Sequence, residues 1–341
     1  GFTWNYDATN NSVVFRGTLN GNGKTISNLT INNFSSTYAY HGIFPRMDGG
    51  KIYNLTLNNV NLELNATSLG GTNMQAGLIT GNIYNGKVNE ISRITIINSG
   101  VKGTSSNGVG GLVGLIATNN TVVNISNIKA TNLRVFNKTA YTGGLIGRTN
   151  NSVTIAISDI DIEGEVSAHA AASYTGGIFG RISSANNVIT IRKSIIEMKS
   201  QNTLETNGTY HLLYSKRYLG GIIGYSLTPS ANVNIENVLF MGSLFNNLNN
   251  RRNDVGTSTG RATAANFPTL NGAYYSFVAF RSATGTVVYS PDGTPTGQMS
   301  TLVVADNYPS SAWWDSAYTL LSVDNPYWKQ DLITGRPFLE F

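Results

Sequence analysis

Side chains that could catalyse a reaction or bind a metal are few in this sequence of 341 residues. The three histidines are His41, His169 and His211, and none has the His-Glu-x-x-His setting of a zinc protease helix. Cysteine is absent, which excludes thiolate catalysis and cysteine-ligated zinc. Gly256-Thr257-Ser258-Thr259-Gly260 matches the letters of Gly-x-Ser-x-Gly, but it lies in a polar stretch with no helical pattern after it and so does not indicate a nucleophile elbow; the chain also lacks a phosphate-binding loop. We therefore expect a protein that is not an enzyme and needs no cofactor.

One row of acidic residues is the best candidate for carbohydrate or cation chemistry. Asp159, Asp161 and Glu163 alternate with isoleucines, so a strand would place them on one outward face, with Cα atoms about 6.8 Å apart. Paired carboxylates at about 5–10 Å hydrolyse glycosidic bonds, and the row is also a weak candidate for a metal site. The equivalent rows of the neighbouring repeats carry Lys129 and Lys193 instead of acids. A solvated strand face is therefore the favoured interpretation.

Two arginines and three tyrosines recur at equivalent places and form the candidate ligand-binding set. Arg148 and Arg181 each follow a glycine-rich phrase, whereas Tyr141, Tyr174 and Tyr218 each precede one. If each repeat forms one coil, the tyrosines stack into a ladder and the arginines lie side by side. The ladder is either structural or a platform for sugar rings. The arginines either face solvent or line a site for an anionic glycan.

These positions are fixed by a phrase that occurs six times, most clearly as Gly143-Gly144-Leu145-Ile146-Gly147. Degenerate copies begin near His41 and Ala76, and Thr80 replaces the last glycine of the second copy. The glycines that precede the apolar pair are Gly42, Gly77, Gly111, Gly144, Gly177 and Gly221. They recur about every 33 residues, apart from one longer step, and such a period indicates a repeat architecture.

Short runs of Ile, Val and Thr, with Asn, Ser and Gly between them, follow each phrase and predict strands rather than helices. Coils of a parallel β-helix lie about 4.8 Å apart. Glycine is therefore expected at corners, where a Cβ would clash or φ would be positive. The sequence predicts an all-β chain that forms a right-handed parallel β-helix, or β-solenoid, with repeats of about 33 residues and terminal caps.

Changes in composition divide the chain into four predicted parts. They are 1–14, an N-terminal cap or lead-in strand; 15–245, the β-solenoid repeats; 246–297, a loop and the last coils; and 298–341, a tryptophan-bearing C-terminal cap that closes the open core. The net charge of +5 comes from scattered basic residues, so no nucleic-acid partner is expected. No apolar run approaches the ~20 residues of a membrane span, so none is expected in this chain.

The phrase and the tail together resemble a known family, the GLUG-repeat proteins. The resemblance covers residues 15–341 and rests on the Gly-Gly-Leu-x-Gly repeats, on Phe15-x-Gly-x-Leu-x-Gly-x-Gly-x-Thr-Ile, and on Trp313-Trp314-Asp315, Trp328-Lys329 and Gly335-Arg336-Pro337-Phe338-Leu339. These are bacterial surface and secreted proteins that are adhesin-like, and they include the repeat region of immunoglobulin-A-cleaving metallopeptidases. The resemblance implies a right-handed β-helix, export, and adhesion or display. The degenerate second copy and the 201–217 insertion depart from the family pattern.

Taken together, these features predict a non-catalytic protein that is extracellular or on the cell surface. It would be an adhesin or a structural stalk, which displays a lateral face and the loops 201–217 and 246–268 to a glycan or protein of a host or neighbouring cell. One alternative is a subunit of a self-assembling extracellular filament or sheath, whose partner is the chain itself. A second alternative is a β-helix polysaccharide lyase or hydrolase.

Overall fold

The computed structural model shows a chain built almost entirely of stacked parallel strands. The described part of the chain contains three sheets built mainly of parallel strands, a small antiparallel hairpin and one helix, Ser311–Ser322. The described residues are 14–32, 40–64, 74–103, 106–138, 141–168, 173–198, 213–215, 218–228, 232–242, 244–246, 255–256, 259–261, 269–276, 280–281, 287–288, 300–301 and 311–341.

Two of the sheets contain short strands in chain order. The arginine sheet, which carries Arg148 and Arg181, consists of Val14–Phe15, Phe44–Met47, Thr80–Ile83, Val113–Ile116, Ile146–Thr149, Phe179–Ile182, Ile223–Ser226 and Thr259–Arg261. The tyrosine sheet, which carries the three repeated tyrosines, consists of Tyr40–His41, Met74–Ala76, Ser106–Gly110, Tyr141–Gly143, Tyr174–Gly176, Tyr218–Gly220 and Val255–Gly256.

The long sheet has a main path and a branch, and its described strands pair in parallel except Val287–Val288, which pairs antiparallel with Phe280–Arg281. Its main path consists of Thr18–Ser27, Lys51–Asn58, Val88–Ile97, Thr121–Asn137, Val153–Ala168, Val188–Met198, Val233–Gly242, Thr269–Ser276 and Ser300–Thr301. The branch consists of Thr30–Ile31, Asn61–Leu64, Gly100–Gly103, Leu213–Ser215, Leu244–Asn246, Phe280–Arg281 and Val287–Val288. The strands 121–137 and 153–168 are long enough to pair with both.

Each coil passes through the tyrosine sheet, the arginine sheet and the long sheet, and the next coil repeats this order in parallel register. The register stacks like side chains on one another. Ile91, Ile125, Ile157, Ile191 and Ile235 pair in sequence across five coils, and all five are buried. Such aliphatic columns form one continuous core through the stacked coils. The predicted parallel β-solenoid is therefore confirmed.

The long strands bend where single residues adopt the left-handed conformation. One column of such residues crosses six coils and consists of Asn54, Arg93, Asn127, Asp159, Lys193 and Asn237. A second column consists of Asn28, Asn59, Asn98 and Asn132. Asparagine and aspartate accept positive φ more readily than other side chains. The bends turn the sheet around the core and interrupt the strict alternation of inward and outward side chains.

The C-terminal segment lies along the side of the solenoid, against the long sheet. Its helix, Ser311–Ser322, and its hairpin, Trp328–Gln330 with Pro337–Leu339, pack on the outer face of the central coils. Trp314 and Trp328 are buried there together with Ile195 of the long sheet. The apolar side chains of the described residues 311–341 therefore cover a lateral apolar patch of the long sheet.

Several predicted parts fall outside the described residues. Residues 1–13 of the predicted N-terminal cap do so, as do most of the 201–217 and 246–268 loops. Among the described residues, no helix has the length and apolar character needed to cross a membrane.

Candidate anion-binding site

The repeat register brings the three candidate tyrosines into one stack. Tyr141 pairs with Tyr174 and Tyr174 pairs with Tyr218 in the tyrosine sheet. Their ring centroids lie 5.0 and 4.7 Å apart, within the range of favourable aromatic contacts. Tyr141 and Tyr174 are half-buried and Tyr218 is buried. The stack therefore has an exposed edge along two of its rings.

The two candidate arginines lie beside this stack on adjacent strands of the arginine sheet. Arg148 pairs with Arg181 in parallel register. The Arg181 guanidinium lies 5.0 Å from the ring centroid of Tyr141 and 5.5 Å from that of Tyr174, and its Nη1 donates a hydrogen bond of 2.6 Å to the Tyr141 hydroxyl. The Arg148 guanidinium lies 5.1 Å from the Tyr141 centroid. The structure thus joins all five predicted ligand-binding residues into one Arg–Tyr cluster.

Glycines bring the arginine and tyrosine sheets into close contact. An ideal Cβ at Gly147 would lie 2.5 Å from the amide nitrogen of Val109, and one at Gly180 would lie 2.5 Å from that of Thr142. The two sheets therefore pack backbone against backbone at this edge, and only glycine fits there. Because Arg148 and Arg181 follow these glycines directly, the close packing positions both guanidinium groups over the tyrosine rings.

The electrostatics of the Arg–Tyr cluster are unbalanced. Among the described residues, no carboxylate forms an ion pair with Arg148 or Arg181. Burial lowers the pKa of Arg148, the interaction with Tyr141 opposes this, and the positive charge of Arg181 lowers the pKa further. Two half-buried positive charges on neighbouring strands repel each other. An anion bound between them would remove this penalty and could accept hydrogen bonds from both guanidinium groups.

Three neighbours of the Arg–Tyr cluster were not predicted as site residues. Tyr225 pairs with Arg181 on the next coil, and its ring centroid lies 5.4 Å from that of Tyr174. Asn150 accepts a hydrogen bond of 3.0 Å from Nε of Arg148. An ideal Cβ at Gly108 would lie 3.1 Å from Cγ of Arg148. The repeat register contained the signal for two of them. Tyr225 occupies the arginine position of one flanking coil, and Gly108 occupies the tyrosine position of the other.

The acidic row has a different environment from the solvated face that the sequence predicted. Asp159 accepts a hydrogen bond of 3.0 Å from Nε1 of Trp328, and Asp161 forms an ion pair of 2.9 Å with Arg336. Both aspartates are largely buried because the C-terminal segment covers them. Glu163 pairs with Glu197 across the coils. No group of three His, Asp or Glu side chains within the described ranges is placed to hold a metal ion.

Fold and site together define a parallel β-solenoid that carries a lateral Arg–Tyr cluster. The fold is similar to the crystal structure of a "putative immunoglobulin A1 protease" from Bacteroides ovatus, with a TM-score of 0.50. The two chains are 15% identical, and the match covers 94% of this chain and 76% of the other. Comparison with protein-family models and with curated proteins gave no match. At this identity the likeness concerns the fold alone.

Proposed function

We propose that this chain is a non-catalytic extracellular binding protein whose Arg–Tyr cluster holds an anionic group of a surface glycan or protein. The observation that carries the proposal is the pairing of Arg148 with Arg181 beside stacked tyrosines. Guanidinium groups bind carboxylates and sulfates through paired hydrogen bonds. The exposed edges of the half-buried Tyr141 and Tyr174 rings border the paired arginines and offer apolar contact to a bound group.

The solenoid contributes rigidity to this proposed role. The strands that carry the Arg–Tyr cluster pair on both edges with neighbouring coils. Their side chains are therefore held in place before a ligand arrives, which lowers the entropic cost of binding. The resemblance to surface repeat proteins supports a location outside the cell.

Binding of anionic oligosaccharides tests this proposal. We expect trigalacturonate or a heparin hexasaccharide to bind the intact chain more tightly than a neutral sugar of the same length, with an affinity that falls as salt rises. Arg148→Gln and Arg181→Gln should each weaken binding about tenfold to a hundredfold, because each removes charge-assisted hydrogen bonds. Isothermal titration calorimetry would measure both effects.

Arg192→Gln is the matched control, because Arg192 is an exposed arginine of the long sheet and pairs with Glu236 on the next coil. It removes the same charge without touching the Arg–Tyr cluster, so anion binding should stay within about twofold of the unsubstituted chain. Equal losses in Arg192→Gln and Arg181→Gln would show that net charge, not this site, attracts the anion. Failure of every anionic saccharide to bind would contradict the proposal.

A further inference from the structure

A second and chemically different groove lies on the branch of the long sheet. It has a volume of about 420 Å³, which is within the range of small-ligand sites. Its lining residues belong to four consecutive coils and include Glu63, Lys102, Arg134, Phe136 and Glu165. Because neighbouring strands lie about 4.8 Å apart, the groove extends about 14 Å along the stack of coils. This is the length of a short oligosaccharide rather than of a single small molecule.

Gly100 leaves a gap in the middle of this groove. In the branch it pairs with Asn61 on one side and with Arg134 on the other. An ideal Cβ at this position would lie 2.4 Å from the carbonyl oxygen of Arg134, so no larger residue fits. The row of outward side chains is therefore interrupted at Gly100, which forms part of the lining of the groove between the two flanking residues.

The charges around the groove are balanced, unlike those of the Arg–Tyr cluster. Glu63 pairs across the strands with Lys102, and Arg134 pairs with Glu165. Each acidic side chain thus stands beside a basic one, and the four formal charges cancel. Carboxylates accept hydrogen bonds and the basic groups donate them. This combination suits hydroxyl groups, which do both, better than it suits a polyanion.

We propose that this groove binds a neutral linear oligosaccharide. The four charged side chains supply acceptors and donors for sugar hydroxyls, and the half-buried Phe136 supplies an aromatic face for one sugar ring. The open, shallow form of the groove lets a linear chain lie across several coils. This site is separate from the Arg–Tyr cluster, so the proposal does not depend on the anion-binding function.

Cellohexaose, xylohexaose and mannohexaose are the probes for this inference, titrated into the intact chain by calorimetry. We expect at least one of them to bind, with an affinity that depends little on salt because the groove carries no net charge. Phe136→Ala and Arg134→Gln should each weaken that binding about tenfold. Lys102→Gln should also weaken that binding. Because it changes an exposed side chain, it should retain the fold even if Phe136→Ala does not.

Arg181→Gln is the matched control, because it alters the other site and should leave binding of the neutral hexasaccharide within about twofold of the unsubstituted chain. Absence of binding by all three hexasaccharides would overturn the inference. So would binding that survives unchanged in Phe136→Ala, Arg134→Gln and Lys102→Gln. Binding that is lost in Arg181→Gln would place the neutral sugar at the Arg–Tyr cluster and would also overturn it.

Discussion

Asp48 shows how one side chain secures the first coils. Its carboxylate is 1% exposed and accepts hydrogen bonds from Arg16 Nε at 2.7 Å, Asn85 Nδ2 at 3.2 Å and Lys87 Nζ at 3.4 Å. Burial raises the pKa of Asp48, but the three donors together outweigh it and leave the pKa below its ordinary value. At pH values above the pKa that Asp48 has in the unfolded chain, ionised Asp48 therefore stabilises the folded state. This contribution is lost as the pH falls through the lower pKa that Asp48 has in the folded chain.

Asp48→Asn tests this linkage. We expect the variant to be less stable at neutral pH by about 1–3 kcal/mol, because three donors lose a charged acceptor. We also expect its stability to fall less than that of the unsubstituted chain between about pH 5 and pH 2. Denaturant unfolding at a series of pH values measures both quantities. Glu340→Gln alters an exposed carboxylate and serves as the control; parallel acid curves for Asp48→Asn and the unsubstituted chain would contradict the prediction.

Contacts between residues at equivalent positions of neighbouring repeats were predictable from the sequence. Contacts between the repeats and the C-terminal segment were not. Counting from the glycine phrase placed Tyr141 beside Tyr174 and Arg148 beside Arg181, and the structure has both pairs. The ion pair between Asp161 and Arg336 joins residues 175 positions apart. No periodicity relates these two positions, so the sequence predicted a solvated acidic row where the structure has a buried contact.

The glycines that precede the apolar pair in each repeat act at the scale of the coil, because neighbouring backbones approach closely there. An ideal Cβ at Gly144 would lie 2.0 Å from the carbonyl oxygen of Gly177, and one at Gly177 would lie 2.2 Å from that of Gly221. Neither glycine has a positive φ. Of the two reasons that the sequence offered for glycine at the corner, close approach is therefore the one that operates at these positions.

Gly144→Ala should destabilise the solenoid by about 3 kcal/mol or more, because the new methyl group forces two coils apart at their narrowest contact. Gly17→Ala is the matched control, since a Cβ at Gly17 would meet only the Phe15 ring at 3.7 Å and φ there is not positive. It should change stability by about 1 kcal/mol at most. Denaturant unfolding compares them, and equal effects would exclude backbone contact as the reason for the repeated glycine.

Strands were predictable from alternation, whereas their bends were only partly predictable. Asparagine marks several of the left-handed positions, in keeping with its tolerance of positive φ. Arg93 and Lys193, however, both have φ of 50°, and neither residue type signals a bend. They adopt this conformation because the paired coils on each side bend at the same level. Tertiary register overrides local preference at these sites.

At the scale of the whole molecule, the C-terminal segment contacts several coils of the solenoid at once. Coils of a solenoid contact only their neighbours. The segment contacts four consecutive coils through Tyr327 with Arg93, Asn325 with Asn127, Trp328 with Asp159, and the Val323 carbonyl with Lys193. Because one segment contacts all four coils, we expect it to make their unfolding more cooperative than stacking alone would.

Arg336 contributes two ion pairs to the contact between the segment and the solenoid. Its Nη2 lies 2.9 Å from Asp161 and 3.2 Å from Glu197, whose side chains are 6% and 4% exposed. Arg336→Met would leave both carboxylates buried without this positive partner, at a cost of about 3–5 kcal/mol. We therefore expect faster hydrogen exchange not only in 311–341 but also in the coils from 88 to 198, with little change in 14–64.

Trp328→Phe is the matched control for this last prediction. It removes the hydrogen bond from Nε1 to Asp159 and part of the buried ring but leaves both Arg336 ion pairs in place, so it should cost about 1–3 kcal/mol. Hydrogen exchange in Trp328→Phe should accelerate in the same residues as in Arg336→Met, but by a smaller factor. If exchange in Arg336→Met increases only within 311–341, the segment is an independent unit that rests on the solenoid. Faster exchange in all four contacted coils, with 14–64 unchanged, would show that the segment stabilises these coils beyond the pairing of their own consecutive strands.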